Sequence, residues 1–191
     1  MGRIIAGSLA SRQFAMPKTA HTRPTTDRVR ESVFSWLASA LGRGDQSGQN
    51  QLAGMTFLDL YAGSGGVGLE AISRGAQSTW VERDRPTARL IERNCRDLGV
   101  TGRVVASDVT TYLGGAAHAY SVVWMDPPYE TSSDDIDMVV RLIDARGWLT
   151  DDGIVLVERS VHSSQVEFPE SFLNNSSRRY GDTVVYTGMR G

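Results

Sequence analysis

Residues 55–76, MTFLDLYAGSGGVGLEAISRGA, decide the fold. The apolar run at 56–60 is too short for a helix and lies between glycines, so it predicts a buried strand. A tight glycine turn follows at 63–66, and apolar residues then recur at helical spacing until Gly75 ends the helix. A strand, a glycine turn and a helix N-terminus together point backbone N–H groups towards a ligand.

The residues around this turn indicate which ligand it would hold. Gly63-x-Gly65-x-x-Gly68 matches the dinucleotide fingerprint, with Glu82 further along the chain as an acceptor for ribose hydroxyls. Asp59 precedes the turn, and its carboxylate would repel a pyrophosphate in a partly dry cleft. The same carboxylate would attract the ammonium group of S-adenosylmethionine, which carries no phosphate. We therefore expect S-adenosylmethionine rather than NAD, although a plain packing turn capped by Asp59 would give the same pattern.

The composition indicates a single globular domain rather than a membrane protein. The chain has 191 residues, 40% of them hydrophobic and 22% charged, which is typical of one globular domain. No apolar run approaches the roughly 18 residues of a membrane span. Cys95 is the only cysteine, so we expect a reducing, cytoplasmic setting and a packing role for its thiol. No metal site is predicted.

Charge is distributed unevenly along the chain. The net charge is −2, but residues 1–30 carry +5 and the remainder therefore −7. Lys18 is the sole lysine, and arginine makes forked contacts to phosphate and stacks on bases. The pattern is typical of a basic, nucleic-acid-binding arm on an acidic body, although arginine-rich codon usage would also produce it.

The order of predicted elements suggests three parts. Residues 1–41 read as a small hairpin followed by a helix, whose apolar stripe leaves Arg28 and Arg30 free to face a ligand. Residues 42–53 include a polar, glycine-rich stretch that predicts a flexible linker. Residues 54–191 alternate strands and helices, which predicts an α/β fold with a doubly wound, mostly parallel sheet. The chain then ends in an antiparallel hairpin around an Asp-containing turn.

Acidic residues stand at the ends of four successive predicted strands. They are Asp59, Glu82, Asp108 and Asp126. Ligands of open α/β sheets bind outside the carboxyl ends of the strands, so these acids should converge on one site. In that site Glu82 suits the ribose hydroxyls of the cofactor, and Asp108 suits the exocyclic amine of its adenine.

The tetrapeptide Asp126-Pro127-Pro128-Tyr129 follows the fourth of these strands. Its prolines fix φ and remove two N–H donors, which leaves a rigid rim of acceptors, the Asp126 carboxylate and the Pro127 carbonyl. Two acceptors on one side can hold both hydrogens of a planar exocyclic amine and aim its lone pair at a methyl sulfonium. Tyr129 offers a flat face on which an extruded base can stack. A strand-ending turn with an aromatic plug is the structural alternative.

Together these motifs resemble the Rossmann-like S-adenosylmethionine-dependent amino-methyltransferases. The segments RPTTDRVRE at 23–31, RIIAGSLASRQF at 3–14 and GLEAISRGA at 68–76 further resemble the RsmD-type bacterial ribosomal RNA guanine-N2 methyltransferases. The resemblance covers nearly the whole chain. It departs from the family pattern in a longer linker at 42–51 and in Tyr61, where phenylalanine is common.

The resemblance implies methyl transfer to the N2 amine of one guanine, number 966, in 16S ribosomal RNA. It implies that the N-terminal hairpin and residues 23–31 hold RNA, as free RNA or as a 30S assembly intermediate, and we expect a monomer. Adenine-N6 or protein-glutamine methyltransferases share similar Pro-Pro-Tyr motifs, and a non-catalytic RNA-binding module is a further alternative. The predicted site residues are Asp126, Pro127 and Tyr129 for catalysis, Asp59, Gly63, Ser64, Gly65, Glu82 and Asp108 for the cofactor, and Arg23, Arg28 and Arg30 for RNA.

Overall fold

The structure is a computed structural model that describes residues 1–17 and 25–191. Its strands are β1 (Gly2–Arg3), β2 (Gln13–Phe14), β3 (Thr56–Leu60), β4 (Gln77–Glu82), β5 (Arg103–Ala106), β6 (Tyr120–Met125), β7 (Leu149–Ser160), β8 (Phe172–Tyr180) and β9 (Thr183–Arg190). Its helices are α1 (Asp27–Ala40), α2 (Gly66–Ser73), α3 (Arg85–Leu98), α4 (Val109–Leu113) and α5 (Ser133–Ala145), with a 3-10 turn at Gly48–Asn50. Within the described ranges, none of these helices is both long and apolar enough to cross a bilayer.

One sheet of seven strands, in the order β5-β4-β3-β6-β7-β9-β8, forms the centre of the molecule. The strands from β5 to β7 are parallel, and β9 and β8 add to β7 as an antiparallel hairpin. The predicted doubly wound sheet with a C-terminal hairpin is therefore confirmed. The chain runs outward from β3 to β5 and then returns to β6 on the other side of β3. This reversal of strand order between β3 and β6 is where an open α/β sheet forms its ligand crevice.

Strand β3 lies at the centre of the parallel part and is buried from Phe57 onwards. It pairs with β4 on one side and β6 on the other, so an apolar sequence is what this position requires. Asp59 is the polar exception and is only 2% exposed. Because a buried carboxyl is costly unless it is hydrogen-bonded, Asp59 must have a specific partner at the site.

Helix α1 covers one face of the sheet. Val29, Val33 and Leu37 pack with Phe57 of β3 and Trp124 of β6 in one buried cluster. The predicted apolar stripe is thus the face that docks on the body, and α1 contributes to the main core.

Residues near the N-terminus also contact the body, through a buried ion pair at the end of α2. The backbone N–H groups of Ile5 and Ala6 donate to the Glu70 carboxylate at 2.7 and 3.1 Å, and Arg74 pairs with the same carboxylate at 2.9 Å. Leu52, in the predicted linker, is buried, and its N–H donates to the Arg74 carbonyl at 2.8 Å. The division at 1–41, 42–53 and 54–191 stays a prediction, but the first part lies against the third and the linker is not a free spacer.

Helix α4 was not predicted from the sequence. It has only five residues, too few to show a helical period. It begins because the Asp108 side chain accepts hydrogen bonds from the N–H groups of Thr110 and Thr111, as an N-cap does.

Candidate active site

A cavity of about 940 Å³ opens at the carboxyl ends of β3, β4 and β6. The four acids predicted from strand ends, Asp59, Glu82, Asp108 and Asp126, all line it. The prediction that they converge on one edge of the sheet is therefore what the structure shows. The other predicted residues that line the cavity are Gly63, Ser64, Arg30, Pro127 and Tyr129.

The glycine turn forms one wall of this cavity. Gly63 has a φ of +53° with open space where a Cβ would stand, so its backbone is bare on the cavity side. Gly65 faces away from the cavity, because a Cβ there would come within 3.0 Å of Ile91. Gly68 allows α2 to approach β4, since a Cβ would stand 2.2 Å from the Trp80 indole nitrogen. The fingerprint glycines thus serve two purposes, an open backbone at Gly63 and close packing at the other two.

Asp59 is bonded to the helix that follows the turn. Its Oδ2 accepts a hydrogen bond from the Gly68 N–H at 3.0 Å. Burial raises the pKa of Asp59 well above its usual range, the Gly68 hydrogen bond opposes this rise, and the nearby Glu82 charge adds to it. A cation placed beside Asp59 would therefore favour its ionised form.

Glu82 is held by backbone N–H groups on both of its oxygens. Oε2 accepts from Gly63 at 2.9 Å and Oε1 accepts from Asp84 at 2.8 Å. The carboxylate therefore ties the glycine turn to the end of β4. Each oxygen keeps a further lone pair with which it can accept from a ligand hydroxyl.

Asp108 is exposed to the cavity through one of its oxygens. Oδ1 receives the hydrogen bonds from Thr110 and Thr111 that cap α4. The hydrogen bonds from the Thr110 hydroxyl and from these backbone N–H groups lower the pKa of Asp108 despite its partial burial. The group is thus an ionised acceptor at neutral pH.

Asp126 has a different environment, with a second carboxyl group close to it. The Thr25 hydroxyl lies 3.2 Å from Asp126 Oδ2 and 2.8 Å from Glu158 Oε2. Burial and the neighbouring Glu158 charge, with a smaller contribution from Asp59, hold the pKa of Asp126 well above its usual range, while the Thr25 hydrogen bond opposes the rise. Burial likewise raises the pKa of Glu158.

The Pro-Pro-Tyr segment forms the rim of the cavity beyond Asp126. Pro127 is buried and Tyr129 is 61% exposed, an unusual position for a large aromatic ring. The Pro128 carbonyl accepts from the Thr131 N–H at 2.9 Å, which closes the turn and keeps it rigid. The ring of Tyr129 is exposed on this rim, and its role in stacking stays a prediction.

The arginines predicted to bind RNA lie in different surroundings. Arg23 lies outside the described residues. Arg28 is exposed at the start of α1. Arg30 is only 5% exposed, and it donates at 2.7 Å both to Asp27 and to the Arg3 carbonyl. The expectation that Arg30 faces RNA is therefore corrected: its guanidinium is held inside, beside the glycine turn.

A second, smaller cavity of about 350 Å³ adjoins the first. The two cavities share Thr26 and Tyr129. Arg28 of α1 and Arg179 of β8 line the second cavity, and Glu158 forms part of its wall. The C-terminal hairpin thus contributes a basic side chain next to the site.

Sequence reasoning missed two residues of the site, Thr25 and Glu158. Glu158 directly follows the apolar run at 154–157, as the four acids follow theirs, so it could have been found. No local pattern points to Thr25, because its contact with Asp126 joins residues that are 101 positions apart.

These features define a class of protein. An open α/β sheet with a terminal antiparallel hairpin, a glycine turn after its central strand and an Asp-Pro-Pro-Tyr rim beside that turn is the arrangement of the Rossmann-like methyltransferases.

Comparison with known proteins narrows the class to a family. Residues 2–188 match the family model described as Conserved hypothetical protein 95, and the chain belongs to that family. It is 33% identical over 172 residues to Ribosomal RNA small subunit methyltransferase D of Escherichia coli, covering 89% of this chain and 80% of that protein.

Solved structures agree with this family. The Escherichia coli protein yhhF, described provisionally as a methyltransferase, superposes with a TM-score of 0.83 at 30% identity over 98% of this chain and 97% of its own. The magnesium protoporphyrin IX methyltransferase of Synechocystis, solved with S-adenosylmethionine bound, shares the fold at a TM-score of 0.61 and 12% identity, over 86% and 79% of the two chains.

Proposed function

We propose that this protein transfers the methyl group of S-adenosylmethionine to the N2 amine of guanine 966 in 16S ribosomal RNA. The observation that carries the proposal is the Asp126–Tyr129 rim, which stands beside the glycine turn in a single cavity. The name of the Escherichia coli relative supports the RNA substrate.

The cavity fits S-adenosylmethionine at each of its ends. Asp59, near the glycine turn, suits the ammonium group, and Glu82 and Asp108 have free lone pairs for the ribose hydroxyls and the adenine amine. Arg30 Nε and Trp124 Nε1 are buried donors without a hydrogen-bond partner among the described residues, and both residues line the cavity. A carboxylate, such as that of the methionine moiety, would satisfy donors of this kind.

In the proposed mechanism the rim residues position the target amine. The guanine leaves its stack and rests on Tyr129, at a cost of a few kcal/mol that is smaller for a loop base. Asp126 and the Pro127 carbonyl accept from the two amine hydrogens and aim the nitrogen lone pair at the methyl group that the cofactor supplies. Most of the rate gain comes from this positioning and from preorganised charge.

The second cavity supports a path for the RNA strand. Arg28 and Arg179 both line it, and Tyr129 lines both this cavity and the active-site cavity. Two guanidinium groups suit the phosphates that adjoin the unstacked guanine. This groove and Arg23 replace Arg30 in the proposed RNA-binding set.

Measurements of RNA affinity at several salt concentrations test the groove. Arg28→Ala and Arg179→Ala should each weaken binding and reduce the slope of log affinity against log salt by about one unit. Arg93→Ala, an exposed arginine on α3 away from both cavities, is the matched control. If all three variants keep the wild-type slope, the strand runs elsewhere.

Mapping N2-methylguanine in 16S RNA from cells that lack this protein tests the function itself. The modification should be missing at guanine 966 and should return with the wild-type protein. A normal methylation pattern together with missing N6-methyladenine would instead favour an adenine methyltransferase. We expect the protein to work as a monomer in the cytoplasm, where the 30S subunit is assembled.

A further inference from the structure

We infer that Glu158 and Thr25 form, with Asp126, a proton-sharing unit that carries the amine proton from the active site to the second cavity. This inference rests on the proposed methyl transfer. Asp126 is the catalytic residue of the unit, and the other two act through it.

Strand register brings the two carboxyl groups together. Met125 of β6 pairs with Val157 of the parallel strand β7. Asp126 and Glu158, which follow them, therefore lie next to each other at the carboxyl end of β6. Thr25 and Glu158 are buried, at 7% and 9% exposure. Thr25 lies just before α1, and its hydroxyl contacts both carboxyl groups.

The hydrogen count of this contact favours one protonated carboxyl group. A threonine hydroxyl has one proton to donate, yet here it lies within hydrogen-bond distance of two carboxyl oxygens. If one carboxyl is protonated, both contacts are hydrogen bonds, because the hydroxyl donates to one carboxyl and accepts from the other. Burial raises the pKa of both carboxyl groups, which agrees with one shared proton on either Asp126 or Glu158.

Each carboxyl group lies in a different cavity. Asp126 and Thr25 line the large cavity, whereas Glu158 lines the second one. A proton that enters the unit at Asp126 can therefore leave it at Glu158 without crossing the bound cofactor and base. This separation is what makes the arrangement a path rather than only a buried pair.

The chemistry balances in two steps. The nitrogen–methyl bond forms as the sulfur–methyl bond breaks, the sulfonium becomes a neutral thioether, and the ionised Asp126 takes one proton from the methylated amine. Glu158 then releases its proton to water in the second cavity. A shift along the chain, from Asp126 to Thr25 and from Thr25 to Glu158, restores the starting state. No oxidant or reductant is needed.

Other charges around the unit set the direction of its titration. Asp59 of β3 lies on the Asp126 side and disfavours a second negative charge there. Arg28 of α1, Arg179 of β8 and Asp182 of the hairpin turn line the second cavity with Glu158. Burial raises the pKa of Glu158, so its proton leaves only when water in the second cavity accepts it.

Glu158→Gln tests the unit through the pH profile of single-turnover methyl transfer. Glutamine keeps the size and a hydrogen bond to Thr25, but it cannot exchange a proton. We expect the rate at pH 7 to fall about tenfold. The pH profile should change from that of a coupled pair to that of a single group, because only Asp126 can then exchange a proton. A wild-type rate with a wild-type pH profile would overturn the inference.

Thr25→Val and Thr25→Ser form the matched pair for the bridge. Valine has the shape of threonine without the hydroxyl and should slow the reaction at least about tenfold, whereas serine should retain most of the rate. Binding of S-adenosylhomocysteine and a melting curve check that both variants fold. Equal rates in the two variants would show that the Thr25 hydroxyl takes no part in proton transfer.

Carbon-13 NMR of labelled Asp and Glu carboxyl groups separates this inference from the proposed function. In the wild-type protein, Asp126 and Glu158 should titrate as a coupled pair, and Glu158→Gln should leave a single step. The NMR titration does not depend on activity. If the protein failed to methylate RNA, the proposed function would be wrong, but the coupling between the two carboxyl groups could still be measured. Two independent titrations near the ordinary carboxyl pKa of about 4 would overturn the unit.

Discussion

At the β3–β4 end of the cavity, Asp59 and Glu82 accept hydrogen bonds from backbone N–H groups, whereas at the β6–β7 end Asp126 and Glu158 share one threonine hydroxyl. All four residues are carboxylic acids at or near the carboxyl ends of strands. The difference lies in the donors: fixed amides hold a carboxylate in one orientation, but one hydroxyl between two carboxyl groups leaves a proton to share. The β3–β4 end therefore suits binding of the cofactor, and the β6–β7 end suits proton exchange.

Among substitutions at the two ends of the cavity, we expect the largest effect at Asp126. Asp126→Ala should lower methyl transfer at least about a hundredfold, because it removes an acceptor that acts on the amine in the transition state. The affinity for S-adenosylhomocysteine should stay within about tenfold of wild type, since the glycine turn is untouched. Single-turnover rates and calorimetry measure the two quantities. A variant with near-normal turnover would contradict the role given to the β6–β7 end.

Asp59→Asn probes the binding end. It should weaken S-adenosylmethionine binding about tenfold, since it removes the charge that faces the ammonium group. In the wild-type protein affinity should rise with pH through the raised pKa of Asp59, because the cation binds its ionised form. The asparagine variant should lose that dependence. Glu82→Gln is the matched control, and it should bind more weakly yet keep the pH dependence.

Cofactor selectivity completes this test. The wild-type protein should bind S-adenosylhomocysteine with micromolar affinity, about −8 kcal/mol, and should show no binding of NAD. Comparable calorimetric affinities for the two ligands would contradict the inference that Asp59 selects against NAD.

Arg28 and Arg30 differ in burial, although they lie one residue apart along α1. Arg30→Ala should destabilise the fold by about 1–3 kcal/mol, because it removes hydrogen bonds made by a buried cation. Arg28→Ala should leave the melting temperature unchanged and alter RNA binding instead. Thermal unfolding of both variants checks the pair, and equal melting temperatures would contradict the buried role of Arg30.

The smallest expected effect is on the melting temperature, which the buried carboxyl group of Asp126 lowers at neutral pH. The pKa of Asp126 is raised in the folded protein, so the folded state resists losing this proton and stability falls as pH rises above about 4. Asp126→Asn should therefore raise the melting temperature at pH 7–8, by about 2–4 °C for each kcal/mol gained. The gain should vanish below about pH 4, where both proteins are neutral at this position. Melting curves across this pH range give the answer, and a gain that persisted at low pH would point to packing instead.

The sequence was sufficient for the parts of the site that lie close together along the chain. The β3 strand, the glycine turn and α2 follow one another, and each strand-end acid sits directly after an apolar run. Thr25 could not be placed in this way, because its bridge depends on the docking of α1 against the sheet.

Arg30 was misplaced for a related reason. The helical period correctly put Val29 and Val33 on the buried face, but it could not show that residues before α1 fold back over the helix. The Arg3 carbonyl and Asp27 then provide hydrogen-bond partners that allow a charged side chain to be buried. The burial of Arg30 depends on tertiary contacts, which a local sequence pattern cannot predict.

The most direct test of the central claim is methyl transfer by the purified protein. Unmethylated 16S RNA or 30S subunits are incubated with S-adenosylmethionine labelled in its methyl group, and the RNA is digested and analysed by mass spectrometry. We expect labelled N2-methylguanine at position 966 with the wild-type protein and none above background with Asp126→Ala. Label on another base, or equal labelling by the two proteins, would contradict it.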